Sequence, residues 1–135
     1  MRLKQYIKEN DLDRMIDFVK KFYATGTQNP IGHGVVFGLS DKGVSAMVKV
    51  ELEAKAYDVH LKEIITLEDL GKKGFGNYIM KSLTSMADKM NIPITLFAVP
   101  LQHQGVKIPK TKLVSFYKRH GFKYKRGDFM ERIPK

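Results

Sequence analysis

The chain reads as an α+β domain, and three features of its 135 residues predict it. Extended runs rich in Val, Ile and Leu occupy residues 35–39, 44–53, 57–66 and 94–99, the composition of half-buried pleated strands. Apolar residues at helical spacing mark three other stretches, near 11–23, 77–90 and 111–120. A glycine cluster, Gly71-Lys72-Lys73-Gly74-Phe75-Gly76, joins an extended run to a helical one.

In chain order, residues 3–8 suit a short first strand. Asn10 or Asp11 then caps a helix whose apolar face is Leu12, Met15, Ile16, Val19, Phe22 and Tyr23. The loop at 25–34 carries Gly26, Pro30, Gly32 and Gly34. Runs 35–39 and 44–53 form a β-hairpin about Ser40-Asp41-Lys42-Gly43, and 57–66 is the next strand. Ile79, Leu83, Met86, Ala87 and Met90 line one face of the second helix, which Asn91 and Pro93 end. The apolar run at 94–99 has the character of a buried strand, and a polar loop runs from Gln102 to Pro109. The last helix starts at Thr111, carries Leu113, Val114, Phe116 and Tyr117, and ends at a capping Gly121. Residues 122–125 and 129–133 pair around Gly127-Asp128. The predicted order is β-α-β-β-β-α-β-α-β-β, in one domain spanning 1–135.

Composition sets bounds on function. A chain of 135 residues buries about two thirds of its unfolded surface, and 43% hydrophobic content supplies an ordinary core. No apolar run approaches the roughly 18 residues of a membrane span. The charged start, with Arg2, Lys4, Lys8 and Glu9, lacks a signal-peptide core. Without cysteine, disulfides, thiolate metal sites and a cysteine nucleophile are excluded. A cytoplasmic protein is expected. The net charge of +10 concentrates anions around the molecule. Its lysines and arginines are dispersed, without a block of five or six like charges, so nucleic acid is not the favoured partner.

The glycine cluster focuses that charge. Strand, glycine turn and helix start in that order form an anion site, because glycines let backbone N–H groups turn toward a ligand at the positive helix end. Lys72 and Lys73 add full charges. The spacing matches neither a P-loop nor a dinucleotide fingerprint, since the order is Gly-x-x-Gly-x-Gly. The same residues would also serve a plain strand-to-helix turn with solvated lysines.

Three pieces of the chain, in this order, resemble the GNAT acetyltransferase superfamily. The glycine turn and its helix are similar to the family's pyrophosphate loop, usually Arg/Gln-x-x-Gly-x-Gly/Ala. The run at 94–99 sits where the family's fifth strand follows that helix. Leu113-Val114-Ser115-Phe116-Tyr117-Lys118-Arg119-His120-Gly121-Phe122 is similar to the family's late helix, which ends in Phe-Tyr-x-x-x-Gly-Phe. The likeness covers about residues 35–133. It implies a three-layer α/β architecture with a mixed, mostly antiparallel central sheet flanked by helices, its central strands splayed into an acetyl-CoA cleft. Two positions depart from the pattern. Gly71 stands in place of Arg or Gln, and Lys110 in place of an Asn that often begins the late helix. The segment before Val35, which shapes the acceptor pocket in that family, is short here and weakly helical.

The resemblance implies an N-acetyltransferase that uses acetyl-CoA (coenzyme A) and a direct attack by a primary amine. The cofactor would lie where two central strands part after about Ile64, with backbone groups of Ile64, Ile65 and Thr66 against pantetheine and the thioester carbonyl. Backbone N–H groups of Lys72, Lys73, Gly74, Phe75, Gly76 and Asn77 would take the pyrophosphate. Tyr117 would act as general acid toward the departing thiolate. Two residues compete for the base. Alternation along 57–66 puts Glu63 on the otherwise apolar face of Tyr57, Val59, Leu61 and Ile65, where burial would raise its pKa. His60, on the opposite face, suits neutral pH. No metal is expected, since His33, His103 and His120 are dispersed. Ser82, Ser85 and Ser115 lack a His-Asp constellation.

The acceptor is a small-molecule or protein amine. With only 14 acidic residues the chain disfavours polycationic amines, so acceptors bearing a carboxylate or phosphate fit better. A monomer and a homodimer are both compatible with the sequence. Two alternatives come from other classes: a basic nucleic-acid-binding module, in which lysines meet phosphates and aromatics stack on bases, and a catalytically silent GNAT-like domain acting through protein contacts.

Overall fold

Antiparallel pairing between sequence neighbours builds most of the sheet in the computed structural model, which describes residues 2–28, 34–41, 44–66, 75–99, 102–103, 106–107 and 109–135. After helix α1 (Arg2–Tyr23), strands β1 (Thr27–Gln28), β2 (Val35–Asp41), β3 (Val44–Ala54) and β4 (Val59–Thr66) follow as a meander. Helix α2 (Phe75–Met90) returns the chain to β5 (Ile94–Phe97), parallel to β4. The short strands β6 (Gln102–His103) and β7 (Val106–Lys107) pair with each other. Helix α3 (Lys110–Arg119) then leads to β8 (Lys123–Arg126) and β9 (Phe129–Arg132). Seven strands lie in the order β1-β2-β3-β4-β5-β9-β8. The sheet is thus mixed and mostly antiparallel, and the domain is α+β, as the strand and helix patterns predict.

The start of the chain differs from expectation. Residues 3–8 are the first turns of α1, not a strand, so neither Asn10 nor Asp11 caps it. Leu3, Tyr6 and Ile7 already stand at helical spacing, and the intervening Lys4 and Gln5 are good helix formers. The buried stripe is also rotated. Met15, Phe18 and Phe22 are inside, whereas Leu12 and Ile16 are 38% and 37% exposed. The polar segment after residue 101, read as a loop, contains the β6–β7 pair. The segment 25–34, read as a loop, holds the two-residue β1, which pairs with β2; the remaining elements fall within a few residues of their expected positions.

Register divides the sheet into two faces. Val35 pairs with Val50, Phe37 with Val48, Leu52 with Leu61, Val59 with Ile94, and Leu96 with Met130. These residues form the face packed against the helices; all are buried except Phe37, which is half-buried against Phe22 at a ring separation of 5.3 Å. The other face carries Lys49, Glu51, Glu53, His60, Thr95 and Phe97. Between the pairs Glu51↔Glu63 and Leu52↔Leu61 the register slips, leaving Lys62 as the extra residue of a β-bulge. Beyond the last β2–β3 pair, the Tyr23 hydroxyl accepts from Leu52 N–H at 2.8 Å and donates to Leu52 C=O at 3.2 Å. That hydroxyl satisfies backbone groups that a longer β2 would have paired.

Two arginines fix α2. Arg14 of α1 donates to the carbonyls of Met90 and Asn91, at 3.2 and 2.7 Å, where the helix ends. Asn91 there adopts φ 60°, the left-handed conformation that Asn tolerates, which stops the helix two residues before Pro93. Arg132 of β9, 4% exposed, grips the Asp88 carboxylate with both terminal nitrogens, at 2.8 and 3.0 Å. Its Nε donates to His120 C=O at 2.8 Å, which ties the end of α3 to the same point. Among the described residues no helix is long and apolar enough to cross a membrane.

Removing the carboxylate strands a buried guanidinium. Asp88→Ala is therefore expected to cost about 2–3 kcal/mol in urea denaturation, since breaking a buried pair leaves a charge uncompensated. A loss below about 0.5 kcal/mol would mean the pair behaves like an exposed surface bridge.

Candidate functional site

The strongest local irregularity lies at the centre of the sheet. β4 and β5 share only two register pairs, Val59↔Ile94 and His60↔Thr95. From Leu61 to Thr66, β4 stays paired with β3, while β5 continues with β9 through Leu96↔Met130 and Phe97↔Phe129. The expected parting after Ile64 therefore begins earlier, at His60. Ile64, Ile65 and Thr66 occupy the diverging arm, opposite Val50, Lys49 and Val48.

The bulge changes the assignment of the two candidate bases. Simple alternation puts Glu63 with Val59 and Leu61, opposite His60. The extra residue at Lys62 reverses this, because a one-residue insertion flips every later side chain. Glu63 instead pairs with Glu51, on the same face as His60. It is half-buried and holds Lys49 at 3.2 Å, and Glu51 holds Lys62 at 3.5 Å. Glu63 is thus an ion-paired carboxylate on the polar face.

His60 sits in the crotch of the fork. It is 8% exposed, with Nδ1 3.0 Å from Thr95 Oγ1. Thr95 Oγ1 donates to Asp58 Oδ1 at 3.4 Å. The imidazole meets the Phe97 ring edge-on, at a centroid distance of 5.3 Å, and Phe97 packs on Phe129 at the same distance. Burial lowers the His60 pKa, with Lys55 adding to the effect and Asp58 and Glu53 opposing it. The ring is neutral at pH 7.

The expected phosphate loop is only partly among the described residues. Lys72, Lys73 and Gly74, with Gly71, lie outside the described residues. Phe75, Gly76 and Asn77 are the first three residues of α2, whose first turn contains no acidic residue to repel an anion.

Tyr117 is placed by the way α3 ends. His120 is the C-cap, and Gly121 follows with φ +95°, a conformation that glycine adopts without strain. Gly121 N–H bonds Lys118 C=O at 3.0 Å and Phe122 N–H bonds Tyr117 C=O at 3.2 Å, the two bonds of a Schellman motif. The accompanying apolar contact is Tyr117 against Phe122, with centroids 5.8 Å apart. Phe116 packs edge-on to Tyr117 at 5.4 Å. Tyr117 is 7% exposed, and burial pushes its phenol up to about 12. Lys110, the departure from the expected Asn, begins α3 and pairs with Asp128 in the β8–β9 turn. His120 Nε2 is buried without a partner among the described residues, and burial lowers the His120 pKa, with Arg119, Lys81 and Arg132 adding to it.

Asp58 and Thr95 were not read from the sequence as members of the site. Thr95 had a signal, being the one polar residue in the apolar run 94–99. A buried hydroxyl needs a partner.

Both lowered histidines predict the same response to acid. Well above the ordinary imidazole pKa of 6.5, both folded and unfolded chains leave them neutral and stability does not depend on them. As pH falls through that value the unfolded chain takes up protons that the folded chain refuses, so stability falls. The urea midpoint is expected to drop as pH goes from about 7.5 to about 5, and to drop less in a His60→Gln/His120→Gln double variant. An equal acid response in the double variant would place the proton uptake elsewhere.

No family model matches the chain, and no curated protein matches it. Among solved structures it is similar to one described as the crystal structure of the anti-CRISPR protein AcrVA5, at 18% sequence identity and a TM-score of 0.47, over 71% of this chain and 96% of that one.

Proposed function

We propose that the protein is an acetyl-CoA-dependent N-acetyltransferase that passes an acetyl group to a primary amine by direct attack. The observation that carries this reading is the fork. Along residues 61–66 of β4 the strand on the β5 side is gone. Its outward N–H and C=O groups have no strand partner among the described residues, and each is a hydrogen-bonding group that a ligand can meet. An extended pantetheine chain with its own amides satisfies them much as an added strand would. The order of β4, glycine cluster and α2 supports the same reading, because strand, glycine turn and helix start in that order suit an anion. The GNAT-like motifs at 71–76 and 113–122 agree with it.

In this reading the free amine attacks the thioester carbonyl carbon, the C–S bond breaks, and the thiolate leaves. His60 takes the proton from the amine nitrogen. A neutral imidazole does this at pH 7, whereas Glu63 is engaged by Lys49. Tyr117, with its phenol at about 12, stays protonated throughout. A thiol titrates near about 8.5, so Tyr117 stabilises the departing thiolate chiefly by donating a hydrogen bond.

A second reading has its own observation. β8 is exposed at every position and reads Lys123-Tyr124-Lys125-Arg126, with Lys118 Nζ 5.4 Å from the centre of the Tyr124 ring. Basic residues interleaved with an aromatic on an exposed edge are what a nucleic-acid backbone and its bases would meet.

Calorimetric titration at low and high salt separates the two. One-to-one binding of acetyl-CoA that survives high salt supports the transferase. Salt-sensitive binding of single-stranded oligonucleotide without acetyl-CoA binding supports the second reading. Given the cofactor, Gly76→Glu in the first turn of α2 is expected to abolish its binding. Tyr117→Phe should slow release of CoA thiol with an amine panel about 100-fold while leaving affinity within about twofold. Equal loss of both would make Tyr117 structural.

A further inference from the structure

Three side chains in the crotch of the fork come from two strands and the turn before one of them. Asp58 immediately precedes β4, His60 is its second residue, and Thr95 is the second residue of β5. Their contacts form a chain, Asp58 Oδ1 to Thr95 Oγ1 at 3.4 Å and Thr95 Oγ1 to His60 Nδ1 at 3.0 Å. With both contacts made, chemistry fixes the direction of that chain. A carboxylate only accepts, and a threonine hydroxyl has one proton. Thr95 spends it on Asp58, so toward His60 its oxygen can only accept. Nδ1 of His60 must then carry the ring's proton, and Nε2 keeps the lone pair.

Resting on the transferase reading, we infer that Thr95 and Asp58 are positioning residues that lock His60 in its Nδ1–H tautomer and thereby make Nε2 the atom that receives the amine's proton. The reversed arrangement, with Thr95 donating to Nδ1, would protonate Nε2 and leave no basic atom for the acceptor. It would also leave the Asp58 carboxylate without the hydroxyl. The site is set for this role by burial: Thr95 is 2% exposed and His60 8%, so water competes poorly for either bond. Phe97, edge-on to the imidazole, limits rotation of the ring. The pairing His60↔Thr95 is the last one before the strands part, so the lock stands where the open arm begins.

The test is the long-range 15N–1H correlation spectrum of the uniformly 15N-labelled full chain at neutral pH, which distinguishes the two imidazole tautomers by their coupling patterns. His60 is assigned by its disappearance in His60→Gln. The wild-type ring should show a protonated Nδ1 and an unprotonated Nε2. Thr95→Ser, which keeps the hydroxyl, should preserve that pattern. Thr95→Val should convert it to the Nε2–H form or to a mixture, and Asp58→Ala should produce a mixture. A wild-type Nε2–H tautomer would overturn the inference, and so would a pattern unchanged in Thr95→Val. The wild-type and Thr95→Ser spectra keep the test decisive if Thr95→Val fails to fold. Acetyl-CoA affinity, measured on the same samples, stands apart. Absence of binding with the Nδ1–H tautomer intact would remove the transferase reading and leave the lock, whereas binding with the wrong tautomer would do the reverse.

Discussion

Everything in this fold depends on a two-residue seam. Val59↔Ile94 and His60↔Thr95 are the register pairs that join the meander of β1 to β4 to the group β5, β9 and β8. One further backbone bond, from Val59 N–H to Pro93 C=O at 3.0 Å, reinforces them. Net hydrogen-bond contributions of about 1 kcal/mol each would not hold two half-sheets together. Burial does more: Val59, Ile92 and Ile94 are fully excluded from solvent, and each such side chain contributes roughly 1.5–3 kcal/mol. The helix above the seam is then held at one end from both sides, by Arg14 from α1 and by Arg132 from β9. Beyond the crotch the two strands follow different partners.

How much of this was legible follows from which forces are local. The β2–β3 hairpin, α2 with its Asn91 stop, and the α3–Gly121–β8–β9 ending were readable because turn chemistry and periodicity act over a few residues. The first turns of α1 were misread because six residues with Leu, Tyr and Ile among charged neighbours satisfy either period. The face of Glu63 was misread for a deeper reason. A bulge is a property of two strands together, and no pattern within 57–66 announces that Lys62 is the extra residue. Thr95 and Asp58 lie 37 positions apart, so their contact exists only once β4 and β5 are parallel.

The same bulge arranges charge on the open face. By turning Glu63 toward Glu51, it brings two carboxylates into register, and Lys49 and Lys62 answer them across the strands. Farther along this face Lys125 holds Glu131 at 3.0 Å. The carboxylates of this surface are thus largely neutralised by neighbours while the molecule keeps its net charge of +10. Ten basic residues against two acidic ones fall within 107–135 alone. An anionic ligand meets an attractive field with few bare carboxylates to repel it.

That balance bears on why a histidine stands in the crotch. A carboxylate buried there would need a cation to offset its desolvation, and a cation beside it would hold it ionised and weakly basic. Glu63 and Glu51, on the same face, are each held by a lysine. An imidazole escapes the dilemma, because its basic form is uncharged and burial favours that form. Its remaining ambiguity is which nitrogen carries the proton. A hydroxyl committed to a carboxylate removes it without adding a charge next to the ring, and the parallel seam that joins the half-sheets is what brings that hydroxyl within 3.0 Å.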